Sequence, residues 1–222
     1  MDLREVMRTT FAAREFTGQP VTDEVLHDIL EDARFAPSGG NRQGWRVIVV
    51  REQATRDALD PIIRPTMQRY IAQVAAGEAP WNTIVPSAVD EAAVAATQVP
   101  PGFLERLINA PVLLFVVVDL SVVASFDQHQ SHVGVISGAS VYPFVWNILL
   151  AARSRGLGGT LTTFAGGREN ELKALLGVPD AYAFAAMLPL GYPVKQLTRL
   201  KRNPVASFAV AERFDGTPLG EG

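Results

Sequence analysis

Between residues 22 and 34 the apolar side chains Val25, Leu26, Ile29, Leu30 and Ala33 recur at helical spacing, giving one apolar stripe on a polar helix. Thr22 suits the N-cap, and Pro37 ends the pattern. His27 falls on the polar side and is expected to be solvated. A short helix is expected over 1–10, and a helix interrupted by Pro61 and Pro65 over 53–70. Residues 140–155 predict a strongly apolar helix with Gly156 as its C-cap. A shorter helix over 169–176 is stopped by Gly177 and Pro179. Continuous apolar runs at 47–50, 111–118 and 184–190 read as buried strands, and 160–163 favours extended structure. Residues 71–102 are alanine-rich, carry four prolines and show little periodicity. They read as a substrate-side insertion of loops and short helices or, alternatively, as a mobile surface excursion. Residues 121–132 are polar and loop-like, and the tail at 201–212 has apolar Val205, Phe208, Ala209 and Val210.

Helices alternating with buried strands imply an α+β chain with helices on both faces of a mixed sheet. No repeat or long polar linker divides the chain, so residues 1–222 are expected to form one domain. The uncharged stretch at 133–152 is broken by Gly134, Gly138, Pro143 and Asn147, and reads as a loop and a buried helix rather than a membrane span.

Composition narrows the chemistry. There is no cysteine, which excludes disulfides, thiolate nucleophiles, thiolate-bound zinc, iron–sulfur clusters and a cysteinyl-linked flavin. The net charge of −3 provides no basic field for nucleic acid. The charged start, Met1-Asp2-Leu3-Arg4-Glu5, has no signal-peptide pattern, and a cytoplasmic location is expected. His129 and His132 are three apart, but no carboxylate or cysteine pattern completes a metal site. No G-x-S-x-G or Walker sequence occurs. Gly156-Leu157-Gly158-Gly159 follows a helix and has Leu161 at the third glycine position, so it is not a dinucleotide fingerprint.

The richest polar loop is Ala36-Pro37-Ser38-Gly39-Gly40-Asn41-Arg42-Gln43-Gly44-Trp45. Its glycines permit close backbone approach, and Ser38, Asn41 and Gln43 both donate and accept hydrogen bonds. Such a loop suits a planar, uncharged, polar-edged ligand.

This loop resembles the A-P-S-x-x-N-x-Q-x-W signature of the FMN-dependent nitroreductase family. Arg14-Glu15-Phe16 with Pro20-Val21, the Gly156-Leu157-Gly158 turn, Leu188-Pro189-Leu190-Gly191-Tyr192-Pro193 and Lys201-Arg202-Asn203-Pro204 resemble further family motifs in the family order. The resemblance implies a three-layer α/β/α fold, made as an intertwined homodimer. It implies FMN as cofactor and NADH or NADPH as reductant. A small-molecule electron acceptor, nitroaromatic or quinone-like, would complete the cycle, with no side-chain nucleophile and no nucleic-acid or membrane partner. It assigns Ser38, Gly39, Asn41 and Gln43 to the isoalloxazine. Leu161, Thr162 and Thr163 go to its N5–O4 edge, Arg14 to the pyrimidine and ribityl side, and Lys201 and Arg202 to the phosphate. The sequence departs from the family at Thr10 and Ala12, which stand where an Arg and a Ser would help hold the phosphate. Related branches leave reductive dehalogenation, oxygen-dependent flavin breakdown and non-catalytic flavin sequestration as alternatives.

Overall fold

The computed structural model describes residues 1–220. Four strands, β1 (Trp45–Val50), β2 (Val112–Asp119), β3 (Gly158–Gly159) and β4 (Tyr182–Gly191), form one sheet in the order β1-β2-β4-β3. β2 is central and almost wholly buried, which explains its unbroken apolar run. Its side chains alternate between two cores. Val112, Leu114, Val116 and Val118 pack with α2 (Asp23–Ala33) and α6 (Tyr142–Ser154), including Ile29 and Ile148. Leu113 and Phe115 pack on the other face with Ile63 of α3 (Gln53–Ala75), Leu107 of α5 (Phe103–Ile108) and Leu172 of α7 (Glu169–Leu176). Helix, sheet and helix therefore form three layers, as expected. α1 (Leu3–Thr9) and α4 (Glu91–Ala96) complete the helices.

The sheet is less mixed than the alternation of elements suggested. Every ladder is antiparallel, and the parallel component is a single bridge from Ala12 to Gly159. The cause is visible at Val50. Its register partner is Leu113, so after the excursion through α3, α4 and α5 the chain re-enters at the end it left and reverses direction.

α3 runs unbroken through both prolines and absorbs residues 71–75 of the expected irregular stretch. Pro61 and Pro65 are four apart, so the missing N–H of Pro65 would have bonded the carbonyl of Pro61, and the two defects adjoin. Burial of Leu59, Ile62, Ile63 and Met67 on one face outweighs them. No helix among the described residues is long and apolar enough to cross a membrane. Residues 133–152 form a 3₁₀ turn (Ile136–Ser140) leading into α6. The loop before it is tethered by the Asp127 carboxylate, which accepts from Ser125 Oγ at 3.0 Å, Ile136 N–H at 2.9 Å and Val135 N–H.

Candidate functional site

α6 ends in a Schellman arrangement. Leu157 N–H bonds Ala152 O at 2.9 Å and Gly156 N–H bonds Arg153 O at 3.0 Å, with Gly156 at φ +82°. The next two glycines serve another purpose, because neither has positive φ. A Cβ at Gly158 would lie 2.9 Å from that of Ala13. One at Gly159 would lie 2.2 Å from Leu190 Cδ2 and 2.8 Å from the Pro189 carbonyl. β3 is thus squeezed between β4 and the N-terminal segment, whose Ala13 N–H donates to Gly159 O at 3.0 Å. This close packing sets Arg14 beside the chain that leaves β3.

That chain is Leu161-Thr162-Thr163. Thr162 pairs with Met187 of β4 through N–H to Met187 O at 3.0 Å and the reciprocal bond at 2.9 Å. The hydroxyls of Thr162 and Thr163 and the N–H of Thr163 make no hydrogen bond among the described residues. All three residues line a cavity of about 670 Å³ together with Arg14, a size typical of small-molecule sites (~300–1,000 Å³). Tyr70, Trp81, Phe103 and Phe164 give it an aromatic side, and Tyr70 meets Phe164 edge-to-face at 5.4 Å. Among the described residues no carboxylate lines the cavity, and Arg14 is its only charged lining residue. The Arg14 guanidinium is exposed and bonds Ala12 O at 3.3 Å, with no ion-pair partner among the described residues.

The loop with Ser38, Gly39, Asn41 and Gln43 is exposed or half-exposed and strained. Gly40, Asn41 and Gln43 adopt φ of +61°, +53° and +51°. Left-handed residues other than glycine cluster where function demands them. Ser38 Oγ accepts from Gln43 N–H at 2.9 Å, Gln43 Nε2 donates to Asn41 Oδ1 at 3.2 Å, and Gly39 N–H donates to Ser140 Oγ at 3.2 Å.

Within one copy of the chain these two groups do not meet. The strained loop enters β1 at one edge of the sheet, and the threonines leave β3 at the other. Three strand spacings, roughly 14 Å, separate those edges. Lys201 and Arg202 lie on the exposed tail and line no part of the cavity, and Arg202 Nη1 donates to Lys201 O at 2.6 Å. Thr10 is buried with its hydroxyl donating to Val6 O at 2.7 Å, and Ala12 is taken up in the Gly159 bridge, so neither replaces the absent Arg and Ser. Of the sequence-predicted site residues, the cavity therefore gathers Arg14, Leu161, Thr162 and Thr163, and neither the Ser38–Gln43 loop nor Lys201 and Arg202. Sequence reasoning missed Tyr70, Phe103 and Phe164. Trp81 was visible as the one tryptophan of the irregular stretch, but only the fold brings it to the cavity.

The Nitroreductase family profile matches residues 7–192. The chain is 29% identical over 184 residues to an NADH dehydrogenase of Thermus thermophilus, covering 82% of each. It is 28% identical over 198 residues to a nitrobenzene nitroreductase of Ectopseudomonas oleovorans, covering 85% of each. A crystal structure of oxidised iodotyrosine deiodinase bound to FMN and 3-iodo-L-tyrosine superposes with a TM-score of 0.65 at 24% identity, covering 92% of this chain and 96% of that one.

Proposed function

The chain belongs to the nitroreductase family, and from that premise we propose an FMN-dependent oxidoreductase that takes electrons from NADH or NADPH and delivers them to nitroaromatic, quinone or similar conjugated acceptors. The observation that carries this reading is the convergence of Arg14 with Leu161, Thr162 and Thr163 on one cavity whose lining holds no carboxylate. Bound FMN would supply reversible hydride exchange at N5.

The chain's own groups hold and bias that chemistry. The free Thr163 N–H and the two threonine hydroxyls offer hydrogen bonds to a polar ring edge. Thr162 N–H is committed to Met187 O, so it fixes the segment instead of reaching the ligand. Arg14, unpaired by any carboxylate among the described residues, would stabilise negative charge on the pyrimidine side of a reduced ring. The aromatic wall excludes water from the reacting face. One cavity serves reductant and acceptor in turn, which supports a ping-pong order.

We assign the remaining half of the site to a second copy. A homodimer that lays the Ser38–Asn41–Gln43 loop of one chain over the Arg14 cavity of the other would unite groups that one chain keeps apart. Exposed Val205, Phe208 and Phe214 on the tail give such a dimer apolar surface to bury. Co-expression of Arg14→Ala and Asn41→Ala chains tests this. Each single variant should lose FMN binding at both sites, whereas the mixed dimer should regain one intact site. No recovery in a verified mixed dimer would contradict the composite site.

A further inference from the structure

Trp81 is the largest cavity residue contributed by the segment that follows α3, and its placement is maintained at a conformational cost. Its φ is +54°, a region disfavoured for a bulky side chain. Two residues of α3 account for its persistence. Gln73, only 4% exposed, accepts the Trp81 N–H through Oε1 at 3.1 Å. Arg69 places its guanidinium 5.9 Å from the indole centroid and is itself paired with Glu91 of α4. Tyr70 lines the same cavity. A tryptophan serving the core would be buried, yet Trp81 is 48% exposed while lining the cavity. Strain held by a buried amide, with the side chain left open to a cavity, marks a site prepared for a ligand.

We propose that Trp81 is the specificity-determining wall of this cavity, mounted by Gln73 and Arg69 to stack a planar aromatic acceptor that carries no positive charge. This rests on the oxidoreductase reading above. The charge preference follows from the lining. Arg14 lies in the cavity, the charge of Arg69 is met by Glu91, and no carboxylate among the described residues lines the cavity to compensate an incoming cation. Neutral quinones and aromatic carboxylates fit, and quaternary ammonium nitroaromatics do not.

The test uses the flavin-loaded chain with Trp81→Ala, Trp81→Phe and Gln73→Leu. Trp81→Ala should raise KM for menadione and 4-nitrobenzoate about tenfold, the size of a lost aromatic stack. Trp81→Phe should recover most of that loss. Gln73→Leu should raise KM in the same direction as Trp81→Ala. Wild type should also show a KM for 4-nitrobenzoate at least tenfold below that for a nitrobenzyl trimethylammonium salt, with the ratio shrinking in high salt. Unchanged acceptor KM in Trp81→Ala, or equal KM for the two charge types, would overturn the proposal and leave the oxidoreductase reading standing. Failure of wild type to bind FMN would overturn the oxidoreductase reading. In that event, quenching of wild-type but not Trp81→Phe fluorescence by 4-nitrobenzoate supports the wall, and absence of such quenching overturns it.

Discussion

Gly159→Ala is the substitution that tests most sharply how the fold builds the cavity. The added methyl would sit 2.2 Å from Leu190 Cδ2, 2.8 Å from the Pro189 carbonyl and 3.2 Å from Leu149 Cδ2. Leu190 is fully buried and Leu149 nearly so, and the Pro189 carbonyl belongs to β4 itself, so none can turn away into solvent. Overpacking of a filled core costs about 1–3 kcal/mol, and a clash with backbone belongs in the upper part, about 2–3 kcal/mol. For a chain of this size each kcal/mol lowers Tm by about 2–4 °C, giving a fall of roughly 4–12 °C. The chain relieves the clash by moving β3 away from β4, which carries Thr162 and Thr163 with it. FMN affinity should therefore fall together with Tm. Gly156→Ala provides the contrast, because nothing lies within 4 Å of its added Cβ and its φ is +82°. It should cost only the left-handed backbone penalty of about 1–2 kcal/mol and leave FMN affinity unchanged. Scanning calorimetry and FMN titration on both variants decide the matter. A Gly159→Ala protein with wild-type Tm and affinity would refute the spacing argument.

Three other expectations follow from particular contacts. Arg153 is 8% exposed and donates Nε to Thr9 Oγ1 at 3.0 Å, so Arg153→Ala should lower stability by about 1–3 kcal/mol and show as a lower urea midpoint at unchanged slope. The Asp127 carboxyl lies below its usual range, chiefly because the Ile136 N–H donates to it, with Val135 N–H and Ser125 Oγ adding to the effect. Its folded pKa is depressed, so its stabilisation is present above the unfolded value of about 3.9 and is lost as pH falls through the folded value. Asp127→Asn should remove that acid-dependent component, and an unaltered acid limb in pH-dependent unfolding would contradict it. Arg202→Ala tests the phosphate assignment that the family resemblance implies, which needs the exposed tail to reach the site in the dimer: FMN affinity should drop about tenfold to a hundredfold while riboflavin affinity holds, and unchanged FMN affinity would return Arg202 to ordinary surface charge.

Much of this architecture is legible in the residues. The apolar run at 111–118 reads as a buried strand and forms β2, and the stripe from Val25 to Ala33 reads as a core-facing helix and packs on that sheet. α3 was harder, because local rules stop a helix at Pro61 and Pro65 while burial of Leu59, Ile63 and Met67 carries it through. The Gly156-Leu157-Gly158-Gly159 turn was recognisable as a helix end, but the role of its last two glycines was not. It depends on Ala13 and Leu190, which are distant in sequence. Arg14 and the Leu161–Thr162–Thr163 group were named from motifs and do share a cavity. The Ser38–Asn41–Gln43 loop was named on the same grounds and lies at the opposite edge of the sheet. A linear motif carries no information about whether its partners lie in the same copy of the chain. The aromatic wall escaped for a related reason: Tyr70, Trp81, Phe103 and Phe164 have no shared spacing, and only the docking of α3 and α5 beside β4 collects them.

The central claim is that this cavity holds FMN and exchanges electrons through it. The most direct measurement is the visible spectrum of the purified protein, supplied with FMN and kept anaerobic, before and after NADH or NADPH and again after a quinone. The account predicts a protein-bound flavin spectrum that bleaches with at least one nicotinamide and returns when the quinone is added. A chain that binds no FMN, or one whose bound flavin neither nicotinamide bleaches, would contradict it.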